Sequence, residues 1–518
     1  MSFERFFPWI AFLTLLFACT LPLFVTRHLP LVDYPTHLAR MHVLSDHGTD
    51  GFLNQVYELS LAPRPNLGMD LVVFAISRFV PVETASRLFV VFSMMVTLSG
   101  VGVLSWVIHR EWSPISILLG AVLLYNWVFA YGFMNFLFGV GLMLWALAVW
   151  FVTMDRSALV RVMVGMLFAA AIFLAHIVPF VVFALALGGI GLHRSIVQRR
   201  IDCRRLAKEF LVAVIACGLP ALVFLNLIPA SGDLVAGFSA GSWSSKLVAL
   251  IRTPLGMNLQ GDVAVFTGVL VLVVSVCLWG KIAIAPALRL VLALVGLAFI
   301  IAPYSSQLGF YMTERIYLIF LLLLVAALKI TFRRAMVYRT MIGLLAFSIS
   351  VRSLVTASDW RKCDLSLNRV RNAFSSLEGP AILYVAAFPA SENPGGMLFR
   401  LNSRYRFFNP AELHIGAYAA LNNGIFVPMV YAHPSLQPIR ISERFAQLAK
   451  IQGFNPILLQ TEYELRELTR RLPRTPAVLP EPIQRVYLYV QGAPKAGSAP
   501  DGVTLIAEAP EFAIYRIL

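Results

Sequence analysis

The stretch most able to do chemistry reads Arg27-His28-Leu29-Pro30-Leu31-Val32-Asp33-Tyr34-Pro35-Thr36-His37-Leu38-Ala39-Arg40-Met41-His42, with Asp46 and His47 soon after. Pro35 suits the first turn of a helix, with Asp33 or Tyr34 near its cap. On that helix His37, Arg40 and Met41 share a face through i,i+3 and i,i+4 spacing. A carboxylate at the mouth of such a helix can act as a general base, taking a proton from an acceptor hydroxyl as that oxygen attacks carbon. Asp33 and His37 are therefore the candidate catalytic pair. The plainer alternative is that Asp33 only caps the helix, and the residues alone leave both readings open.

Four histidines (His28, His37, His42 and His47) with Asp33 and Asp46 raise the question of a metal. His37 and His42 are five apart and diverge on a helix, and no zinc-type spacing is present. Solvated histidines at the membrane interface are the default expectation. A divalent cation held by Asp33, with His37 as a further ligand and a substrate phosphate completing the shell, stays open.

Further polar residues fall near one end of the apolar segments: Asn126, Tyr131, Asn135, His176, Lys246, Arg252, Tyr304, Gln307, Tyr311, Glu314 and Arg315. Of these, Arg315, His176, Lys246 and Arg252, together with Arg40, are the candidate substrate-binding residues. Arg315 opens an apolar segment and is placed to hold a phosphate. Its alternatives are an interfacial anchor or a pair with neighbouring Glu314. The Trp243 to Leu255 stretch has the pattern of an amphipathic helix lying on a membrane. Gly132 to Gly139 suits close helix packing.

The elements that must position these residues follow from composition. Of 518 residues 59% are apolar and 13% charged, against about 45–50% and about 25% in soluble domains, which excludes a soluble enzyme. Ample apolar surface also excludes disorder. Apolar runs divided by charge clusters predict about eleven transmembrane helices, at 7–26, 84–108, 114–130, 132–153, 158–175, 177–192, 209–228, 262–279, 289–304, 314–330 and 335–352. The segment 68–80 is apolar but short and carries Asp70 and Arg78, so a helix in the interface is expected there.

The formal charge of +15 is distributed in a way that argues topology rather than nucleic-acid binding. Residues 1–352 hold 25 basic and 14 acidic side chains. The densest basic run (Arg194, Arg199, Arg200, Arg204, Arg205 and Lys208) lies between two apolar segments, where it predicts a cytoplasmic loop. Counting outward, the N-terminus is cytoplasmic, while loops 27–83, 229–261 and 304–313 and everything after 352 lie outside. By this map no Asp, Glu or Lys sits at mid-membrane, where ion-coupled transporters usually keep one. Five cysteines are too few for a disulfide framework.

The last 165 or so residues read as a compact extracytoplasmic α/β domain. Ala381 to Val385 and Val486 to Val490 have strand character, and Val503–Ile506 with Phe512–Ile517 a terminal hairpin. Ser442–Ile451 and Thr461–Leu472 have helical spacing. Pro394-Gly395-Gly396 and then Pro473, Pro476, Pro480 and Pro482 mark turns. The expected division is a membrane domain over 1–352, including the first outer loop 27–83, and an extracytoplasmic domain over 353–518.

An N-terminal span, a long outer loop with an Asp-bearing helix, a second interfacial segment after Pro65, and a span opening Ala85-Ser86-Arg87-Leu88 resemble the GT-C superfamily of polytopic glycosyltransferases. A terminal domain after the last span is similar too. The resemblance covers the whole chain as architecture, while its motif content is one short loop. It implies a polyprenyl-phosphate sugar donor, an acidic residue in the first outer loop as base or metal ligand, and an anionic phosphate leaving group that a cation such as Arg315 would stabilise. Asp33 is the matching position. The sequence departs from many members in having one acid there, with a histidine four residues on. The resulting expectation is an inverting glycosyltransferase of a bacterial inner membrane, acting on a glycan, lipid or protein acceptor outside the cytoplasm. The alternatives are a transporter or flippase of a lipid-linked saccharide, and a non-catalytic envelope assembly factor.

Overall fold

A computed structural model describes residues 7–48, 50–60, 62–196, 203–227, 241–256, 258–306, 309–388, 413–432, 437–473, 479–492 and 500–518. Arg199, Arg200, Gln307, Pro476 and the Pro394-Gly395-Gly396 turn lie outside the described residues. The chain forms two compact units. One comprises Met1–Pro22, Pro63–Met69 and Leu88–Thr356, the other Leu23–Ala62, Asp70–Arg87 and Ala357–Leu518.

The first unit is built of apolar helices. Among the described residues seven helices are long and apolar enough to cross a bilayer: Val82–His109, Met134–Thr153, Ala158–Ala175, Ile177–Ile196, Cys203–Val223, Leu259–Trp279 and Ala335–Ser375. Ile10–Val25 and Pro286–Ile301 are apolar but shorter. Leu159, Met163 and Leu167 recur every fourth residue along one helix and are 62–71% exposed. An apolar stripe of that kind is stable only against lipid or protein. The chain is a multi-pass membrane protein. The apolar segment after Leu67 forms the helix Gly68–Ile76 of nine residues, about 13 Å long and far short of a hydrocarbon core of about 30 Å.

The residues expected to form one span over 114–130 instead make two short helices, Pro114–Val122 and Trp127–Tyr131. Asn126 accounts for the break. Its Oδ1 accepts the amide of Phe129 at 2.9 Å, while its Nδ2 donates to the carbonyls of Leu123 at 2.7 Å and Leu124 at 3.3 Å. One buried amide thus serves free backbone groups on both sides of the interruption. Arg352 completes it, donating to the carbonyls of Val122 and Tyr125 while pairing with Asp262 at 2.7 Å. A second set joins buried Arg161 and Glu209 with half-buried Arg194.

The second unit carries the sheet. Its strand order is Val503–Ala509, Phe512–Ile517, Arg485–Gln491, Ala381–Ala387, Ile425–Phe426, with Ile457–Leu458 added beside the far end of Ala381–Ala387. The first three pair antiparallel and the rest parallel. Ala381 to Ala386 are all buried, as a central parallel strand covered on both faces requires. The expected strands, hairpin and helices (Glu443–Gln452 and Glu462–Arg471) are all present. The helix that begins at Ala335 does not stop at 352 but runs to Ser375. Its buried residues Trp360, Cys363, Leu367, Val370 and Phe374 recur at three- and four-residue spacing, and Phe374 meets Tyr489 of the sheet edge-on at 5.0 Å.

Residues 23–62 belong to this same unit. Strand Tyr57–Leu59 pairs antiparallel with Ile439–Ile441, and Glu58 meets Arg440 across the register. The helix Tyr34–Asp46 packs on the 3-10 helix Ile415–Leu421.

Candidate functional site

Pro35 opens the helix Tyr34–Asp46, and Asp33 occupies its N-cap position. Its backbone, however, sits at φ −90°, ψ −6°, not in the extended region from which capping side chains turn back onto their own helix. The Asp33 side chain makes no cap bond. Its backbone carbonyl instead accepts from the Thr36 hydroxyl at 2.7 Å and the His37 amide at 3.1 Å. The carboxylate is thereby left for other partners, and the capping alternative is set aside.

Those partners come from the far end of the chain. Nδ1 of His414 lies 3.0 Å from Oδ1 of Asp33 and 3.2 Å from the Val32 carbonyl. The hydroxyl of Tyr431 donates to the same Oδ1 at 3.2 Å. Two oxygen acceptors facing Nδ1 place the ring proton there. The Tyr431 hydrogen bond and the His414 ion-pair contact both fall on Oδ1, while the hydrogen bond of His414 Nδ1 goes to the Val32 carbonyl. Asp33 and His414 are both buried.

His37 does not bond to the Asp33 carboxylate. Its Nδ1 takes a hydrogen bond from Nη2 of Arg40 at 3.1 Å, and its ring meets Tyr431 edge-on, 6.1 Å between centroids. Burial, then the Arg40 guanidinium and the His414 ring, hold the His37 pKa well below the usual imidazole range. His37 is therefore neutral. Arg40 is wholly buried and forks onto Asp70, Nε to Oδ1 at 2.7 Å and Nη2 to Oδ2 at 3.1 Å. A row thus runs from Asp70 through Arg40, His37 and Tyr431 to Asp33.

The histidines of this stretch are not the solvated interfacial groups expected: His28, His37 and His42 are buried, with Tyr418 against His28 and Tyr431 against His37. Each has its own partner. His28 meets Asn368, His42 pairs with Asp46, and His47 reaches the Tyr57 carbonyl. Among the described residues no three His, Cys, Asp or Glu side chains are grouped to hold a metal ion. Asp33 offers one carboxylate, and the Nδ1 lone pair of His37 is taken by a guanidinium. Among the described residues Asp33 and His37 do not by themselves make up the shell of a divalent cation.

The remaining candidates lie in the first unit, where a second cluster surrounds the start of the helix Met312–Ala327. Glu314 is wholly buried and pairs with Arg252, not with adjacent Arg315. Arg252 lies over the rings of Trp127, at 4.4 Å, and Tyr311, at 5.3 Å. Arg315 turns the other way, stacking on Phe133 at 4.0 Å with Nη1 2.5 Å from Nε2 of His176. A guanidinium has no acceptor, so Nη1 donates and Nε2 of His176 accepts. Lys246 goes elsewhere, donating to the carbonyls of Phe299 and Ala302 at the C-terminal end of the helix Pro286–Ile301.

Tyr311 holds this cluster together and is strained in doing so. Its φ of +62° is left-handed, uncommon for a bulky residue. From there its ring contacts Trp127, Tyr131, Phe133 and Tyr304. Burial, followed by the neighbouring Tyr311, pushes the Tyr304 hydroxyl up to about 12. It stays a donor.

Sequence reading brought Asp33 and His37 into one stretch, and Arg315 and His176 into one end of the helices. It missed His414 and Tyr431. Neither lies in a periodic or motif-like run, and the only available signal was that His414 is one of two histidines after residue 352.

No protein-family model matches the sequence, and no curated protein matches it. Solved structures do. The chain is similar to the crystal structures of ArnT from Cupriavidus metallidurans bound to undecaprenyl phosphate and in the apo state, each with a TM-score of 0.53 at 12% identity. The match covers 99% of this chain for the bound form, 98% for the apo form, and 98% of each ArnT chain. At that identity the likeness is one of fold. It bears out the expected architecture of many apolar helices followed by a sheet-bearing C-terminal part.

Proposed function

We propose that this protein is an inner-membrane glycosyltransferase that moves a sugar from a polyprenyl-phosphate donor to an extracytoplasmic hydroxyl, with Asp33 as general base. The observation that carries the reading is the Asp33 carboxylate itself. It stands at a helix start without capping it, buried, with Oδ1 accepting from the Tyr431 hydroxyl and lying 3.0 Å from Nδ1 of His414. The likeness in fold to a protein crystallised with undecaprenyl phosphate supports the donor class.

In the proposed step the acceptor oxygen attacks the anomeric carbon from the face opposite the phosphate. The carbon–oxygen bond to phosphate breaks, polyprenyl phosphate leaves with the bonding pair, and the acceptor proton passes to Asp33. A single displacement inverts the anomeric centre. The departing phosphate gains negative charge, which a cation stabilises, and Arg315 is our candidate for that role. Stacking on Phe133 holds the guanidinium plane for that task. The N-terminus is assigned to the cytoplasm and the terminal domain to the outside, on the basic run at 194–208.

The test uses purified protein in liposomes with a panel of undecaprenyl-phosphate sugars and a membrane lipid extract as acceptor, reading released undecaprenyl phosphate by mass spectrometry. Asp33→Asn is expected to lower release by about 10²–10⁴-fold with unchanged folding. Release within a few-fold of wild type would remove Asp33 as base. Movement of intact donor across the bilayer, without cleavage, would replace the transferase with a transporter.

A further inference from the structure

The two groups that hold Asp33 both come from beyond residue 412, in the part of the chain whose role the sequence left undefined. We infer that His414 and Tyr431 are positioning residues for Asp33, so that the terminal domain is part of the catalytic apparatus; this rests on the reading of Asp33 as base. A carboxylate on a single rotatable bond presents either oxygen, at any angle, unless something fixes its plane. Here Nδ1–H of His414 and the Tyr431 hydroxyl converge on Oδ1 at 3.0 and 3.2 Å. With Oδ1 doubly engaged, Oδ2 is the oxygen that takes the acceptor's proton.

The supports are themselves supported. His414 starts the 3-10 helix Ile415–Leu421, its carbonyl accepting the Ala417 amide at 3.0 Å. The ring of Tyr431 is packed edge-on by His414 at 5.5 Å, by His37 at 6.1 Å and by Phe454 at 6.2 Å. His414 is 2% exposed, so it acts through Asp33 and not on substrate. Rigid support of this kind matters because displacement of a reacting group by about 1 Å costs about 10²-fold in rate.

The experiment compares His414→Leu, His414→Asn and Tyr431→Phe in the same release assay, alone and with Asp33→Asn. The amide nitrogen of an introduced Asn overlays Nδ1 of the imidazole. His414→Leu is expected to lower kcat about 10- to 100-fold with donor KM unchanged, and His414→Asn to recover most of that loss. Tyr431→Phe should lower kcat less. Adding His414→Leu to Asp33→Asn should cause no further loss, since the group being positioned is gone. A kcat for His414→Leu within twofold of wild type, or no recovery in a stably folded His414→Asn, overturns the inference while leaving Asp33→Asn free to uphold the base. An active Asp33→Asn overturns the base instead.

If His414→Leu does not fold, imidazole proton resonances of ¹⁵N-histidine-labelled protein decide the matter. A downfield Nδ1–H signal that collapses in Asp33→Asn upholds the bond to the carboxylate. A signal unmoved by that substitution assigns the proton to the Val32 carbonyl and ends the proposal.

Discussion

Replacing Asp70 by Leu takes both oxygens from a guanidinium that has no exposed surface. Arg40 would keep one recorded acceptor, Nδ1 of His37. Leaving a buried charge without its counter-ion costs about 3–5 kcal/mol, more than the pair itself contributes, because desolvation is no longer offset. In a unit of this size that corresponds to a fall in Tm of about 6–20 °C. Arg40→Met, which strands the Asp70 carboxylate, should cost a similar amount. The double variant should recover to near wild type, since apolar side chains of similar volume fill the space without a desolvation penalty. Thermal unfolding of the four proteins in one detergent, followed by circular dichroism, gives the cycle. A loss below about 1 kcal/mol in Asp70→Leu, or a double variant no more stable than either single one, would show that the buried fork is not what the geometry says it is. The stable double variant also isolates function. With Arg40 gone, His37 loses the bond that orients its ring against Tyr431, and release of undecaprenyl phosphate should fall even though the fold is restored.

Three further outcomes follow from other parts of the structure. His37 is neutral in the fold but has a pKa near 6.5 when released from it; below that pH the unfolded chain binds the extra proton. Stability should therefore fall as pH drops through about 6.5, by at most about 1.4 kcal/mol per unit, and be unaffected by this group above it. Thermal unfolding from about pH 5 to 8 should show a shallower slope in His37→Gln, and an identical slope would contradict the assignment. Asn126→Ala strips partners from three backbone groups at the helix break and should destabilise by about 2–4 kcal/mol; a loss under about 0.5 kcal/mol by the same method would mean the break does not depend on that side chain. Arg315→Lys keeps the charge but not the planar stack on Phe133. The kcat in the release assay should fall about tenfold, and an unaltered kcat would take the departing phosphate away from Arg315.

Much of this molecule could be read from its sequence because the governing forces are local. An apolar run of some twenty residues next to a cluster of charge partitions by transfer free energy alone, so the helices Val82–His109, Met134–Thr153 and Ala158–Ala175 begin and end within a few residues of the expected spans. Pro35 sets the start of the first-loop helix through its own φ, and β-branched and aromatic residues mark Arg485–Gln491 and Phe512–Ile517 as strands. What no local rule contains is the choice of partner. Glu314 is adjacent to Arg315 yet pairs with Arg252, because successive residues on a helix point in different directions. Asn126 interrupts an unbroken apolar run because its side chain can replace the missing backbone bonds, which composition does not register. Above all, the residues on Asp33 are Tyr431 and His414, 398 positions away in the first case. A hydrogen bond acts over about 3 Å, so only the fold of the terminal domain against the first loop, within their shared unit, could decide which donors reach that carboxylate.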